Sequence, residues 1–509
     1  MRKALMLSGV AVGALLWMSL PAAAQSQAQP PSDPVRAAVN RYYSSEAATA
    51  PAPAPGIPPL PKWELKAPGA KPVMGSVVAQ PGLSGPNVFD FAKLGYVEEE
   101  YFLTGTGNLY GIGGQGVVKA NVPYQTRILV RRPKDAARFS GNVIIEPSRD
   151  VNEWTTLWPS AARHMLAHGD IFVAFTMAKD NLPTFFKNYD AERYRTLDLS
   201  DDGLRWDIMA QSAGLMRSAE GPLGRIGFLA AAAKRKGGLK VISTGTSLTG
   251  GMQGSFIDNG HHARARRADG GPVMDGYLQL VSGRPQNLPA DAPVIALISE
   301  GDAMNLLNRR VTALRAPDSD GPVKFRWYEI AGTAHANWDD QSQFTPAFQL
   351  IGRGEASTPR CEVPVSEVAM KVDFVSAALA NLEAWLRDGA APPPGKVLDL
   401  AEDQSVKRDA HGNALGGLRP YWVEVPASRI ASRTEEKPGA DGVRATGGLC
   451  SMLASEQPLP KEQLARLYKS HDEYVAKVEA YLKRQVAERY LLPDGAARQL
   501  AQAKMAQVP

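Results

Sequence analysis

Five short runs constrain this chain most: "GNVIIEPS", "DIFVAFTM", "LKVISTG", "APVIALISEGD" and "VKFRWYEIAGTAH". Each carries an apolar or β-branched core between Gly, Pro or Asp punctuation. A strand with one face in water alternates apolar and polar residues, whereas a run that is apolar throughout is buried on both faces. Helical spacing lies between the runs. "LWPSAARHMLAHG" has it and ends on a glycine, and Leu204 to Ser218, continuing to Ala233, has it again. Strands alternating with helices predict an α/β fold, a mostly parallel central sheet flanked by helices on both sides. Such sheets present ligand sites at the carboxyl ends of their strands. No internal repeat with a period of 20 to 50 residues is visible.

The flanks read differently. Met1 to Ala24 has a positive start (Arg2, Lys3), the apolar stretch "ALMLSGVAVGALLWMSL" and small residues at Ala22 and Ala24, the pattern of a cleavable signal peptide. Residues 25–66 are rich in Pro and Ala and read as an extended linker. The body is expected over 67–490. It opens with a β-rich extension ("YVEEEYFLTGTGNLY", "QTRILVRRP") and closes with amphipathic helices from Val365 on. The Gly- and Pro-rich stretch "AHGNALGGLRPYWVEVP" between those helices predicts a C-terminal insertion or cap, and residues 491–509 a tail. No later stretch reaches the roughly 20 apolar residues of a membrane span. The expected location is periplasmic or secreted.

A net charge of +5 over 509 residues is too dilute to argue for nucleic acid. The basic blocks "RRPKDAAR", "KRK" and "RARR" read as solvated faces. The only two cysteines, Cys361 and Cys450, are most simply a disulfide in an oxidising compartment, and two cysteines alone cannot hold a structural zinc.

Three of the apolar runs end in polar residues that could do chemistry: Ser247, then Glu300 and Asp302, then His335. Serine, acid and histidine in that order is what an α/β-hydrolase requires. A serine hydroxyl is a poor nucleophile until a histidine takes its proton, and the histidine needs a carboxylate to set its tautomer and stabilise its charge. "GTSLTGG" matches the G-x-S-x-G elbow imperfectly. Gly245 stands two before Ser247, but Thr249 stands two after it, with Gly250 next. The plain alternative is a serine that caps a helix. Of seven histidines, only His335 follows a strand through a glycine-containing loop. His164 and His168 lie four apart on a helix, a spacing that also fits a metal pair, but read as a solvated or core face. His261 and His262 sit in a basic loop, His411 in the insertion and His471 on the last long helix. Asp302 is preferred to Glu300 as the acid because it lies further along the loop after its strand. The aromatics of "FFKNY", Trp154, Trp158 and Trp338 could line an acyl pocket, but core is the simpler reading.

Four blocks, "GYVEEEYFLTGTGNLY", "YQTRILVRRPKDAARFSGNVIIEP", "VIALISEGDA" and "FRWYEIAGTAHAN", resemble the alpha/beta hydrolase domain family of exported bacterial hydrolases, family 10 type. The similarity runs from about Ala67 to Tyr481. It implies a serine hydrolase in which Ser247 is the nucleophile, His335 the base, and Asp302 or Glu300 the acid. The chain departs from the family at Ser247-Leu248-Thr249-Gly250, where S-x-S-G is usual, and at "EPSRDVNEW", where "EW-x-N" is usual. The resulting expectation is a carboxylic ester hydrolase acting on a small-molecule or oligomeric ester. The Leu248 N–H is one oxyanion donor and the loop from Glu146 to Val151 supplies a second. No metal or other cofactor is implied. An amidase, peptidase or lactonase on the same triad, and a non-catalytic binding protein on the same scaffold, are the competing expectations.

Overall fold

A ten-stranded sheet organises the molecule. The computed structural model describes residues 47–80, 83, 88–111, 114–148, 153–283, 285–308, 315, 318–336, 360–438 and 449–508. The strands are β1 (Lys62–Leu65), β2 (Tyr96–Tyr110), β3 (Val117–Pro133), β4 (Asn142–Pro147), β5 (Ile171–Phe175), β6 (Lys240–Thr246), β7 (Gly276–Leu280), β8 (Val294–Ser299), β9 (Ser319–Asp320) and β10 (Lys324–Ile330). They lie in the order β1-β2-β3-β5-β4-β6-β7-β8-β10-β9. From β5 to β10 every neighbouring pair is parallel. The long β2–β3 hairpin adds an antiparallel wing at one edge and β9 a short antiparallel strand at the other. Every residue of β4, β5, β7 and β8 is buried, as largely apolar runs in a parallel sheet should be. β7 is not evident in the sequence. Its five residues are interrupted by Gln279, which is too short a signal to separate from a loop.

The principal helices are α1 (Leu157–His168), α2 (Arg205–Arg217), α3 (Leu248–Asp258), α4 (Glu300–Asn308), α5 (Val372–Asp388), α6 (His471–Ala487) and α7 (Pro493–Lys504). α1 and α5 pack side by side on the sheet, Ser376 Oγ donating to the Ser160 carbonyl. The closing helical stretch is broken rather than continuous. Lys461–Leu467 stops, and Ser470 caps α6 by accepting from the Glu473 N–H. Beyond α5 the chain lays single bridges along β10, through Tyr328–Lys396 and Ile330–Leu418, and folds a small hairpin of β11 (Ser428–Ala431) and β12 (Ser455–Pro458).

Three expectations change. The stretch read as a linker is held on the body from Thr49 on. Lys62–Leu65 pairs with β2, Ala50 bridges Val117, and Gln211 donates to the Pro59 carbonyl. The final segment is a packed helix, with Arg498 and Gln499 bonded to Asp373 at the start of α5. The "RR" of the first basic block is not solvated: Arg131 is buried, bonded to Glu98 at 2.8 Å, and lies 4.4 Å above the Trp158 ring. The expected signal peptide and residues 25–46 lie outside the described residues. Among the described residues no helix is long and apolar enough to cross a membrane. Cys361 and Cys450 form a disulfide, with their Cα atoms 5.5 Å apart.

Candidate active site

β6 ends at Thr246 and α3 starts at Leu248, so Ser247 alone makes the turn from strand to helix. Its backbone has φ 56° and ψ −116°. A non-glycine residue there is strained and persists only when its surroundings hold it. Here they do. The Ser247 N–H donates to the Leu280 carbonyl at the end of β7 (2.9 Å), and its own carbonyl accepts from the Gly251 N–H (2.8 Å). The departure from G-x-S-x-G has a physical account. Gly245 must be small, because a Cβ there would lie 2.4 Å from the Thr249 carbonyl oxygen. The second close approach falls at Gly250, where a Cβ would sit 2.5 Å from Ser282 Oγ. Thr249 between them is fully buried. Its hydroxyl donates to the Thr246 carbonyl and accepts from the Thr246 N–H, both at 2.9 Å. The threonine thus ties the turn shut from inside.

The candidate acid and the candidate histidine come from the ends of β8 and β10. Asp302 lies in the first turn of α4, not in a loop as its sequence context suggests. Ser299 Oγ accepts from the Asp302 N–H (3.0 Å) and donates to Asp302 Oδ2 (2.5 Å). That leaves Asp302 Oδ1 to meet His335 Nδ1 at 2.7 Å. The segment carrying His335 is fastened on both sides. Lys371 Nζ donates to the Ala334 and His335 carbonyls, and the Ala336 N–H to the Met452 carbonyl. Glu300 faces elsewhere. Its buried carboxylate accepts from the Gly332 N–H (2.7 Å) and lies 2.7 Å from Arg408, so it supports the histidine loop without touching the imidazole.

With this geometry in place, the family comparison is direct. The profile of the alpha/beta hydrolase domain family matches residues 59–501. The chain belongs to that family. A search of curated proteins found no significant match. Among solved structures, this alpha/beta hydrolase is similar to a feruloyl esterase module from Clostridium thermocellum (13% identity, covering 58% of this chain and 98% of that one, TM-score 0.26). It is also similar to a serine hydrolase without a lid from Xanthomonas campestris (13%, 51% and 96%, TM-score 0.25). A third is esterase 2 of Thermogutta terrifontis (10%, 46% and 92%, TM-score 0.27).

Around the candidate site, the expected oxyanion donors divide. Leu248 is the first residue of α3, so its N–H has no partner within the helix. In the loop from Glu146 to Val151, residues 149–151 lie outside the described residues. Pro147 has no N–H, and that of Ser148 is spent on the Phe175 carbonyl. Glu146 itself plays a part that the sequence does not suggest. Its buried carboxylate caps α1, accepting from the Thr156 and Leu157 N–H groups at 2.9 and 3.1 Å. Burial pushes that carboxyl up to about 7, against the pull of these donors. Glu153 is likewise buried, with Asn181 donating to it at 2.6 Å. Neither could be found from sequence, because a lone carboxylate looks the same there whether it is buried against backbone donors or faces solvent.

The remaining candidates fall into the core. Trp154, Trp158, Phe185 and Phe186 are buried, and Trp338 lies outside the described residues. His261 and His262 are buried too, rather than in an open basic loop. His261 stacks on Trp206, and burial brings its imidazole down to about 3. The Gln463 side-chain amide lies 2.7 Å from His411 Nδ1.

Proposed function

We propose that this protein is an exported serine hydrolase that cleaves carboxylic esters through an acyl-enzyme. The observation that carries the reading is the Asp302–His335 contact of 2.7 Å, formed at the carboxyl ends of β8 and β10 on the same sheet edge as the strained Ser247. In the proposed reaction His335 removes the Ser247 proton as Oγ attacks the acyl carbon. Asp302 holds Nδ1–H, so that Nε2 is the basic nitrogen. The Leu248 N–H donates to the developing oxyanion. His335 then protonates the leaving alcohol, and water repeats the sequence on the acyl-enzyme. The disulfide is compatible with an oxidising compartment and supports export.

Labelling with a fluorophosphonate, followed by peptide mapping, tests the nucleophile. The expected adduct is on Ser247, and a protein that stays unlabelled while folded is a binding protein instead. p-Nitrophenyl esters of graded chain length, run beside an aromatic ester, an anilide and a lactone, test the class. Turnover of the anilide or the lactone above every ester would replace esterase by amidase or lactonase.

A further inference from the structure

A second cluster stands at the other end of the sheet. Asp170 immediately precedes β5, so it lies at the amino ends of the strands, whereas Ser247 follows the carboxyl end of β6. His164 and His168 close α1, and Glu383 comes from α5. Gly169 makes the juxtaposition possible. Its φ of 86° reverses the chain between His168 and Asp170, and a Cβ there would lie 2.0 Å from the Arg138 carbonyl oxygen. His164 Nε2 lies 3.0 Å from Glu383 Oε2, and His168 Nδ1 lies 3.5 Å from Glu383 Oε2 and 3.6 Å from Asp170 Oδ1. One donor atom from each of the four residues lies within 4.8 Å of all the others. Ligands about 2.0–2.2 Å from a tetrahedral ion are separated by roughly 3.3–3.5 Å, so the spacing needs only small adjustments.

We propose that His164, His168, Asp170 and Glu383 bind a divalent transition-metal ion, Zn²⁺ foremost, in a structural site. The donor set argues for this ion class. Two imidazoles disfavour calcium and magnesium, which take oxygen ligands, and suit zinc. Four protein ligands leave no open position, as in structural rather than catalytic zinc sites. Two further observations point to a ligand. Among the described residues Asp170 Oδ2 and Glu383 Oε1 are buried without a hydrogen-bond partner, and an unpaired buried carboxylate oxygen is costly. The supporting shell is built as well. Ser140 Oγ and Asn142 Nδ2 donate to Asp170 Oδ1, and Arg387 donates to the Asn142 side-chain Oδ1, which aims the carboxylate. His168 is half exposed, which leaves the ion a path in. The ion would clip α5 to α1 at the end remote from Lys371, which precedes α5 and holds the His335 loop.

The test uses the tag-free full chain, stripped with chelator and titrated with Zn²⁺ alone by calorimetry and thermal melting. We expect one equivalent to bind saturably and to raise the Tm by a few degrees at ligand excess. His168→Ala and Glu383→Gln should each weaken binding at least tenfold and abolish the Tm shift. Fluorophosphonate labelling of Ser247 in both variants serves as the fold control. No saturable binding to the wild-type chain, or wild-type affinity in either folded variant, overturns the site and leaves two histidine–carboxylate ion pairs in its place.

Discussion

At the scale of single residues, Asp302 and Glu300 are two apart in sequence and differ completely in surroundings. Asp302 is oriented by Ser299 and reaches His335, whereas Glu300 is committed to Arg408 and the Gly332 N–H. We therefore expect Asp302→Asn to lower turnover by up to about four orders of magnitude with little change in melting, since it leaves the wrong imidazole tautomer. Glu300→Gln should do the reverse, lowering the Tm while costing less than about tenfold in turnover, because it removes a buried charge partner and no reacting group. Steady-state kinetics and melting curves of the pair decide it, and an exchange of the two phenotypes would make Glu300 the acid. Ser247→Ala should abolish labelling and reduce turnover by about three orders of magnitude or more at unchanged Tm. Native-like rates in that variant would remove Ser247 from the chemistry.

Elements set the conditions under which those residues work. The β6–α3 turn depends on Gly245, where any side chain meets backbone. Overpacking of this kind costs about 1–3 kcal/mol, so Gly245→Ala should lower the Tm and slow labelling of Ser247 together. If labelling keeps its wild-type rate, the elbow does not need this glycine. The β4–α1 connection depends on Glu146, whose carboxyl lies near 7 when folded against an ordinary value of 4.5. The folded chain therefore holds this proton more tightly than the unfolded chain. The resulting stability is complete below about pH 4.5 and is lost as pH rises through 7. Replacing Glu146 by Gln removes that titration, so the fall in Tm between pH 5 and 8 should be shallower than in the wild type. Equal slopes would mean that Glu146 is ionised in the fold throughout that range.

Across the whole molecule, the Asp302–His335 half of the candidate site is shared between the sheet and the C-terminal region. Arg408 meets Glu300, the Met452 carbonyl holds Ala336, and Lys371 holds the His335 loop. The Cys361–Cys450 bond spans 89 residues of this region. Closing a loop of that length is worth roughly 2–5 kcal/mol in the chain-entropy account. We expect the Cys361→Ser, Cys450→Ser double variant to melt several degrees lower and to lose activity at temperatures where the oxidised protein keeps it. Identical melting curves would show that the C-terminal region needs no covalent tie.

Much of this molecule is legible in its residues alone. Runs such as "VIALI" are apolar throughout, and only burial on both faces accounts for that, so the parallel sheet follows from residue type. The proposed triad of Ser247, Asp302 and His335 is legible for the same reason, since each follows a buried run where a parallel sheet opens. The pairing of the two cysteines needs only their number. Tertiary structure decides the rest, because it depends on which distant backbone comes close. Thr249 can replace a glycine only because the close approach has moved to Gly250 and Ser282. Residues 47–66 look like a tether until Lys62–Leu65 finds the exposed edge of β2. His164 and His168 acquire Asp170 and Glu383 through a left-handed glycine and a helix more than 200 residues away. A local pattern reports what a residue prefers, and it carries no record of the partner that long-range folding supplies.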